Sequence, residues 1–240
     1  MSALPVGPLT RDTLEDRVYA QIRDALMEGR FAAGQPITLR ALAQALGVSL
    51  TPIRHASSRL VAEGALSVGP NRTLSVPAPT AAAFEEISAM RQLLEGLAAE
   101  RAAERIDEAE IGELERLCDV MDQAYEAQDL LGALRANRAF HAGVHRAGGS
   151  AILVAHLDSL WLRAGAVVPI VIEQSLHEHF IPKDPNHPHR RVVAALRARD
   201  GKAAKRALVC DIAWAADLIV KHLAEHPAAA SGPRPMTRTR

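Results

Sequence analysis

Leu39-Arg40-Ala41-Leu42-Ala43-Gln44-Ala45-Leu46-Gly47-Val48-Ser49-Leu50-Thr51-Pro52-Ile53-Arg54 is the stretch that decides the fold. Thr38 precedes it as an N-cap, apolar residues recur at helical spacing as far as Leu46, and Gly47 stops the helix. A further helix begins around Ser49 or Thr51, with Pro52 in its first turn, where a missing N–H costs no hydrogen bond. It runs to Glu63 and stops at Gly64. Upstream, Leu14, Val18, Ile22, Ala25 and Leu26 form the stripe of a helix from Leu14 to Glu28 that Gly29 ends. Downstream, Leu66-Ser67-Val68 and Leu74-Ser75-Val76 alternate apolar and polar around Gly69-Pro70-Asn71-Arg72, the pattern of a small hairpin. Three short helices followed by a hairpin predict a winged helix-turn-helix.

Around the third helix, at ~100° per residue, Ala56 and Leu60 fall on the face of Ile53. Arg54, His55, Ser58 and Arg59 collect on the other side. Such a face is either a solvated surface or, with Ser49 and Thr51 at its start, a set of donors for a major groove. Amphipathicity alone favours the solvated surface. The helix–Gly–helix spacing and the hairpin bring the two readings level.

Val76-Pro77-Ala78-Pro79-Thr80 closes this segment, because two prolines in three residues forbid a continuing helix and Thr80 is a good N-cap. The expected organisation is a winged helix-turn-helix over 1–79, an all-α antiparallel bundle over 80–226 and a disordered tail over 227–240. The fold class is therefore mainly α. With 240 residues and 48% hydrophobic content the chain builds its core without staples. Cys118 and Cys210 read as small core residues; the absence of C-x-x-C excludes thiolate zinc modules and fits a reducing cytoplasm. No apolar run approaches the ~18 residues of a membrane span, and the N-terminus lacks a signal-peptide pattern. Net charge is zero, and the eight arginines against six carboxylates up to Pro79 are too weak a bias to name a partner.

In the second segment, helices are expected over Thr80–Ile106, Asp107–Gln128, Asp129–Ala147, Ser150–Val168, Asn186–Arg199 and Gly201–Glu225, with a short piece near Ile170–His179. Polar side chains interrupt three of their apolar stripes. Asn137 and His141 share a face with Leu130, Leu134 and Val144; His189 lines up with Val192, Val193 and Leu196; Asp211 lines up with Leu208, Ala215 and Leu218. A buried carboxylate or imidazole is costly unless paired or coordinated. Two imidazoles, a carboxylate and an amide oxygen suit zinc, nickel or manganese. The other reading is a hydrogen-bonded His–Asp–Asn network without an ion. His145 falls at the edge of its stripe and reads as a surface residue, and His177, His179 and His187 as solvent-facing.

The Leu39 to Arg54 stretch, followed by Leu60-Val61-Ala62-Glu63-Gly64-Ala65-Leu66 and a wing at Pro70-Asn71-Arg72, resembles the GntR family of bacterial transcription regulators. The second segment is similar to the FCD effector domain of that family's FadR-like branch. Arg91-Gln92-Leu93-Leu94-Glu95 matches its R-x-x-L-E, Asn137 to His141 its D-x-x-F-H, and His189-Arg190-Arg191-Val192-Val193 its H-R-x-I. The resemblance implies a cytoplasmic homodimer, not an enzyme, that binds operator DNA and answers to a small carboxylate effector, in most cases as a repressor. It implies DNA contacts from Arg40, Ser49, Thr51, Arg54, Asn71 and Arg72. It implies a divalent metal at Asn137, His141, His189 and Asp211, where the family has one aspartate and three histidines. Arg91 and Arg163 are candidates to face the effector carboxylate, since guanidinium pairs it bidentately. Leu50, His55 and Thr73 depart from the family's arginine, glutamate and glycine. The alternative expectation is a metal-dependent hydrolase with an appended helix-turn-helix, although H-E-x-x-H and G-x-S-x-G are both missing.

Overall fold

The computed structural model describes residues 13–69, 73–178 and 184–226. Asn71, Arg72, His179, the side chain of His177 and the tail expected from 227 lie outside the described residues.

The head contains α1 (Leu14–Met27), α2 (Leu39–Leu46) and α3 (Leu50–Ala62). Thr13 and Asp16 form a reciprocal capping box on α1, and the Thr38 hydroxyl accepts from the Ala41 N–H at the start of α2. Gly47 ends α2 at φ 65°, a left-handed conformation that a side chain resists. Val18, Ile22 and Leu26 of α1 pack with Ile53 and Leu60 of α3, and Ile53 and Leu60 are fully buried. The expected hairpin is present as β2 (Ser67–Val68) and β3 (Leu74–Ser75). A strand that periodicity missed, β1 (Pro36–Ile37), joins the other side of β3, with Ile37 opposite Leu74. Two residues carry no alternation to read, so only the pairing reveals β1.

After the extended segment through Pro79, Thr80 caps α4 (Ala81–Arg105). The remaining helices are α5 (Glu108–Glu126), α6 (Leu130–Ala147), α7 (Ala151–Ala164), α8 (Val168–Glu178), α9 (Pro188–Arg197) and α10 (Gly201–Glu225). Asp107, Asp129, Ser150 and Asp200 each accept a backbone N–H in the first turn of the helix they precede. Helix α10 lies along α4, α5 along α6, and α9 along α10. Among the described residues no single helix is long and apolar enough to cross a membrane.

The short piece expected near Ile170–His179 is α8, and the helix expected over Ser150–Val168 stops short of Val168. It breaks after Ala164 and turns by 72° into α8. Pro169 falls in the first turn of α8, where it starts a helix but cannot continue one. Gly165 at the corner lies against the head: a Cβ there would stand 2.1 Å from the Leu26 carbonyl oxygen of α1. The corner of α7 and α8 is thus where the bundle touches the head. One continuous apolar core runs from Val18 and Ile53 to Trp161, Val171 and Leu208.

Candidate functional site

A cavity of about 320 Å³ opens inside the bundle. Phe84, Ser88 and Arg91 of α4, Asn137 and His141 of α6, Trp161 of α7 and Asp211 of α10 line it, with His189 from α9. The four residues expected to hold a metal come from three helices and meet on one wall. His141 Nε2 stands 3.3 Å and His189 Nε2 3.4 Å from the same Asp211 oxygen, Oδ2. Neither ring nitrogen of His189 has a hydrogen-bond partner although the residue is buried. Burial alone would push Asp211 up, but the charge of His189 and the hydrogen bond from His141 outweigh it and hold the carboxyl well below its ordinary value.

That geometry suits a divalent ion. Ligand atoms about 2.0–2.1 Å from a tetrahedral ion are roughly 3.4 Å from one another. Two imidazole nitrogens and a carboxylate oxygen at these separations, with a buried histidine otherwise unsatisfied, fit zinc, nickel or manganese by donor type. Asn137 lines the same cavity, buried, as an amide donor.

Sequence reasoning missed the group that organises this wall. Glu95 is completely buried, and four side chains converge on its carboxylate. Arg91 Nε donates to Oε1 at 2.7 Å and Trp161 Nε1 at 3.0 Å; His141 Nδ1 and His145 Nε2 both lie 2.8 Å from Oε2. Burial raises the Glu95 pKa, but the Arg91 charge and the two histidines beside it outweigh it, and the carboxyl stays ionised well below its usual range. The two imidazoles therefore present N–H groups to it. For His141 this leaves Nε2 facing Asp211, the orientation a metal-binding histidine takes when a carboxylate holds its other nitrogen. The signal was there: Glu95 shares the apolar face of Ala98, Ala99 and Ala102, the test that singled out Asn137 and His141.

Four expectations are corrected. His145 is 1% exposed, because α4 covers the side of α6 that its own stripe leaves open. His187 is half-buried, lines the cavity and caps α9 by accepting from the His189 N–H at 3.3 Å; burial, then the charge of His189, depresses it to about 4. Cys210 is exposed, unlike the buried Cys118. Arg163 does not line the cavity. It is exposed on α7, its guanidinium 3.8 Å from where a Cβ on Gly64 would lie, at the junction with the head.

On the head, Arg40, Ser49, Thr51 and Arg54 are all exposed. Ser49 caps α3 without a side-chain hydrogen bond, so its hydroxyl is uncommitted. His55 pairs with Glu15 of α1 at 2.7 Å, and Leu50 is half-buried against the head's core.

A winged head on a helical bundle with a polar wall inside its cavity defines a DNA-binding regulator. The chain belongs to the gntR family of bacterial regulatory proteins: the model of that family matches residues 14–76, and that of the FCD domain residues 86–213. It is 29% identical over 206 residues to the HTH-type transcriptional regulator McbR of Escherichia coli, covering 84% of this chain and 90% of the relative. It is 29% identical, also over 206 residues, to the probable D-xylose utilization operon transcriptional repressor of Paenarthrobacter nicotinovorans, covering 85% and 88%. The solved structure of E. coli McbR superposes with a TM-score of 0.75 at 27% identity, over 90% of this chain and all of that one. The protein is a transcriptional regulator with a DNA-binding GntR domain and an FCD domain. The hydrolase alternative has no support among these relatives.

Proposed function

We propose that this chain is a cytoplasmic, homodimeric repressor whose operator affinity is set by a small organic acid bound in the bundle cavity, through a divalent ion on His141, His189 and Asp211. The observation that carries the reading is that triad on the cavity wall, its ligand atoms facing one another and His189 otherwise unsatisfied. Bound there, the ion supplies a positive anchor with positions left open for a carboxylate. Arg91 adds a guanidinium beside it, one nitrogen on Glu95 and its face stacked 4.2 Å from the Trp161 ring. Arg163 has no part in the cavity. Asn137 is a weaker fourth donor.

The head reads DNA through Arg40, Ser49, Thr51 and Arg54, with the exposed face of α3 entering a major groove. A palindromic operator calls for two heads. Met90, Leu93 and Leu97 leave an apolar stripe of α4 exposed, and we assign this stripe to the second copy of the chain. The effector acts by preferring one arrangement of the two heads, so that its binding energy changes operator affinity.

The test is fluorescence anisotropy with the DNA upstream of the protein's own gene, with zinc or with chelator, across a panel of mono- and dicarboxylates. At least one acid should change operator affinity about ten-fold or more in the presence of metal and lose that effect in Asp211→Ala. Operator affinity indifferent to every acid, with and without metal, would overturn the reading.

A further inference from the structure

A second cleft, of about 360 Å³, lies outside the bundle cavity, where α1 of the head meets α6 and α7. We propose that it is a second ligand site, for hydrogenphosphate or a hydroxyl-bearing phosphate monoester. None of the residues expected to hold metal or contact DNA line it.

The charges around the cleft leave a positive surplus. From α1 and its C-cap come Arg23, Asp24 and Glu28; from α6, Arg135, Arg138 and Arg146; from α7, Asp158. Every carboxylate among them is already engaged. Asp24 pairs with Arg23 at 3.1 Å, Glu28 with Arg30 at 2.9 Å and more loosely with Arg135 at 3.5 Å, and Asp158 with Arg138 at 2.6 Å. Among the described residues Arg146 has no ion pair, and the second amino group of Arg138, Nη1, is buried without a partner. Two guanidinium groups of α6 with uncommitted N–H vectors thus line the cleft, and such groups pair a tetrahedral oxyanion well.

The buried end of the cleft adds the specificity. His145 lines it, and its Nε2 is held by Glu95, which leaves Nδ1 as the ring's only unsatisfied atom. Because Glu95 accepts, Nε2 carries the proton, and Nδ1, buried with no partner, is left as the ring's lone pair in need of a donor. An anion with no hydroxyl cannot supply one. Hydrogenphosphate carries a P–OH, and a phosphorylated polyol carries hydroxyls beside its phosphate. Either satisfies Arg138 Nη1 and His145 Nδ1 together, in a cleft walled by α1, α6 and α7.

Isothermal titration of the full-length protein, in phosphate-free buffer with chelator, tests this with three probes: inorganic phosphate, glucose 6-phosphate and sulfate. One phosphate probe at least should bind saturably, one per chain, and at least ten-fold more tightly than sulfate; the tighter of the two names the source. Arg146→Glu changes an exposed side chain, so the fold should hold by circular dichroism. It should weaken phosphate at least ten-fold while leaving the melting shift with zinc unchanged. No saturable binding, equal affinity for sulfate, or equal phosphate affinity in Arg146→Glu would each overturn the proposal.

Discussion

Glu95 shows how one buried carboxylate organises a site. Its negative charge is compensated by Arg91 and by two imidazoles, and its second oxygen sets which nitrogen of His141 faces the cavity. Breaking a buried pair by removing one partner leaves the other charge uncompensated, a cost of roughly 3–5 kcal/mol. Glu95→Gln should therefore lower the denaturation midpoint strongly and also weaken zinc binding, measured by urea titration with and without metal. Asp211→Ala is the complementary case: it should remove the melting shift with zinc, nickel or manganese, while Asn137→Ala only reduces it. His187 supplies a pH dependence. Its folded pKa of about 4 lies below the ordinary histidine value of 6.5, so the unfolded chain takes up the proton first as pH falls. Its contribution is intact above about 6.5 and is lost between 6.5 and 4, by at most about 3 kcal/mol. Asparagine also caps helices, so His187→Asn should keep α9 and flatten the stability curve across that window in melts at stepped pH.

At the level of elements, two helices carry the function from opposite ends. Helix α3 buries Ile53, Ala56 and Leu60 in the head and presents Arg54 to solvent. If Arg54 makes a bidentate base contact, Arg54→Ala should cost ~1–3 kcal/mol of operator affinity; if it contacts phosphate, the salt slope should fall by about one instead. An operator titration at several salt concentrations separates these, and unchanged affinity in a folded variant would remove Arg54 from the interface. Helix α8 places Val168, Val171, Ile172 and Ser175 on the cavity, and its beginning abuts the head. Gly165→Ala puts a Cβ within 2.1 Å of the Leu26 carbonyl, a backbone atom with no rotamer to escape into. Overpacking of this kind costs about 1–3 kcal/mol. The variant should melt lower and show altered operator affinity, yet bind zinc as the parent does.

For the whole molecule, the apolar stripe of Met90, Leu93 and Leu97 is the surface that a monomer has least reason to expose. Leu93 is 72% exposed, so a charge there leaves the fold of one chain undisturbed. Leu93→Glu should convert a dimer to a monomer in analytical ultracentrifugation and weaken binding to a palindromic operator, since each half-site is then met by an unlinked head. A parent protein that sediments as a monomer at micromolar concentration would reject the stripe as the interface. The continuous core from α1 and α3 through Trp161 to α10 also implies that head and bundle unfold together. Differential scanning calorimetry should show one transition.

Local events were legible along the chain: where helices begin and stop, which face of each is apolar, and which polar residues sit on the wrong face. Caps and breakers act within a few residues, and a 3.6-residue period is a property of one helix. That is why the helix-turn-helix, the hairpin and the stripe positions of Asn137, His141, His189 and Asp211 were legible. What those faces meet was set by packing between elements far apart in the chain. Pairing across 37 and 74 made β1, contact with Leu26 went with the corner at Gly165, and the approach of α4 to α6 buried His145 against Glu95. Arg163 was drawn to the head rather than the cavity for the same reason. A periodic pattern specifies a direction around a helix axis, not the neighbour in that direction; the neighbour is chosen by how helices distant in sequence pack into one core.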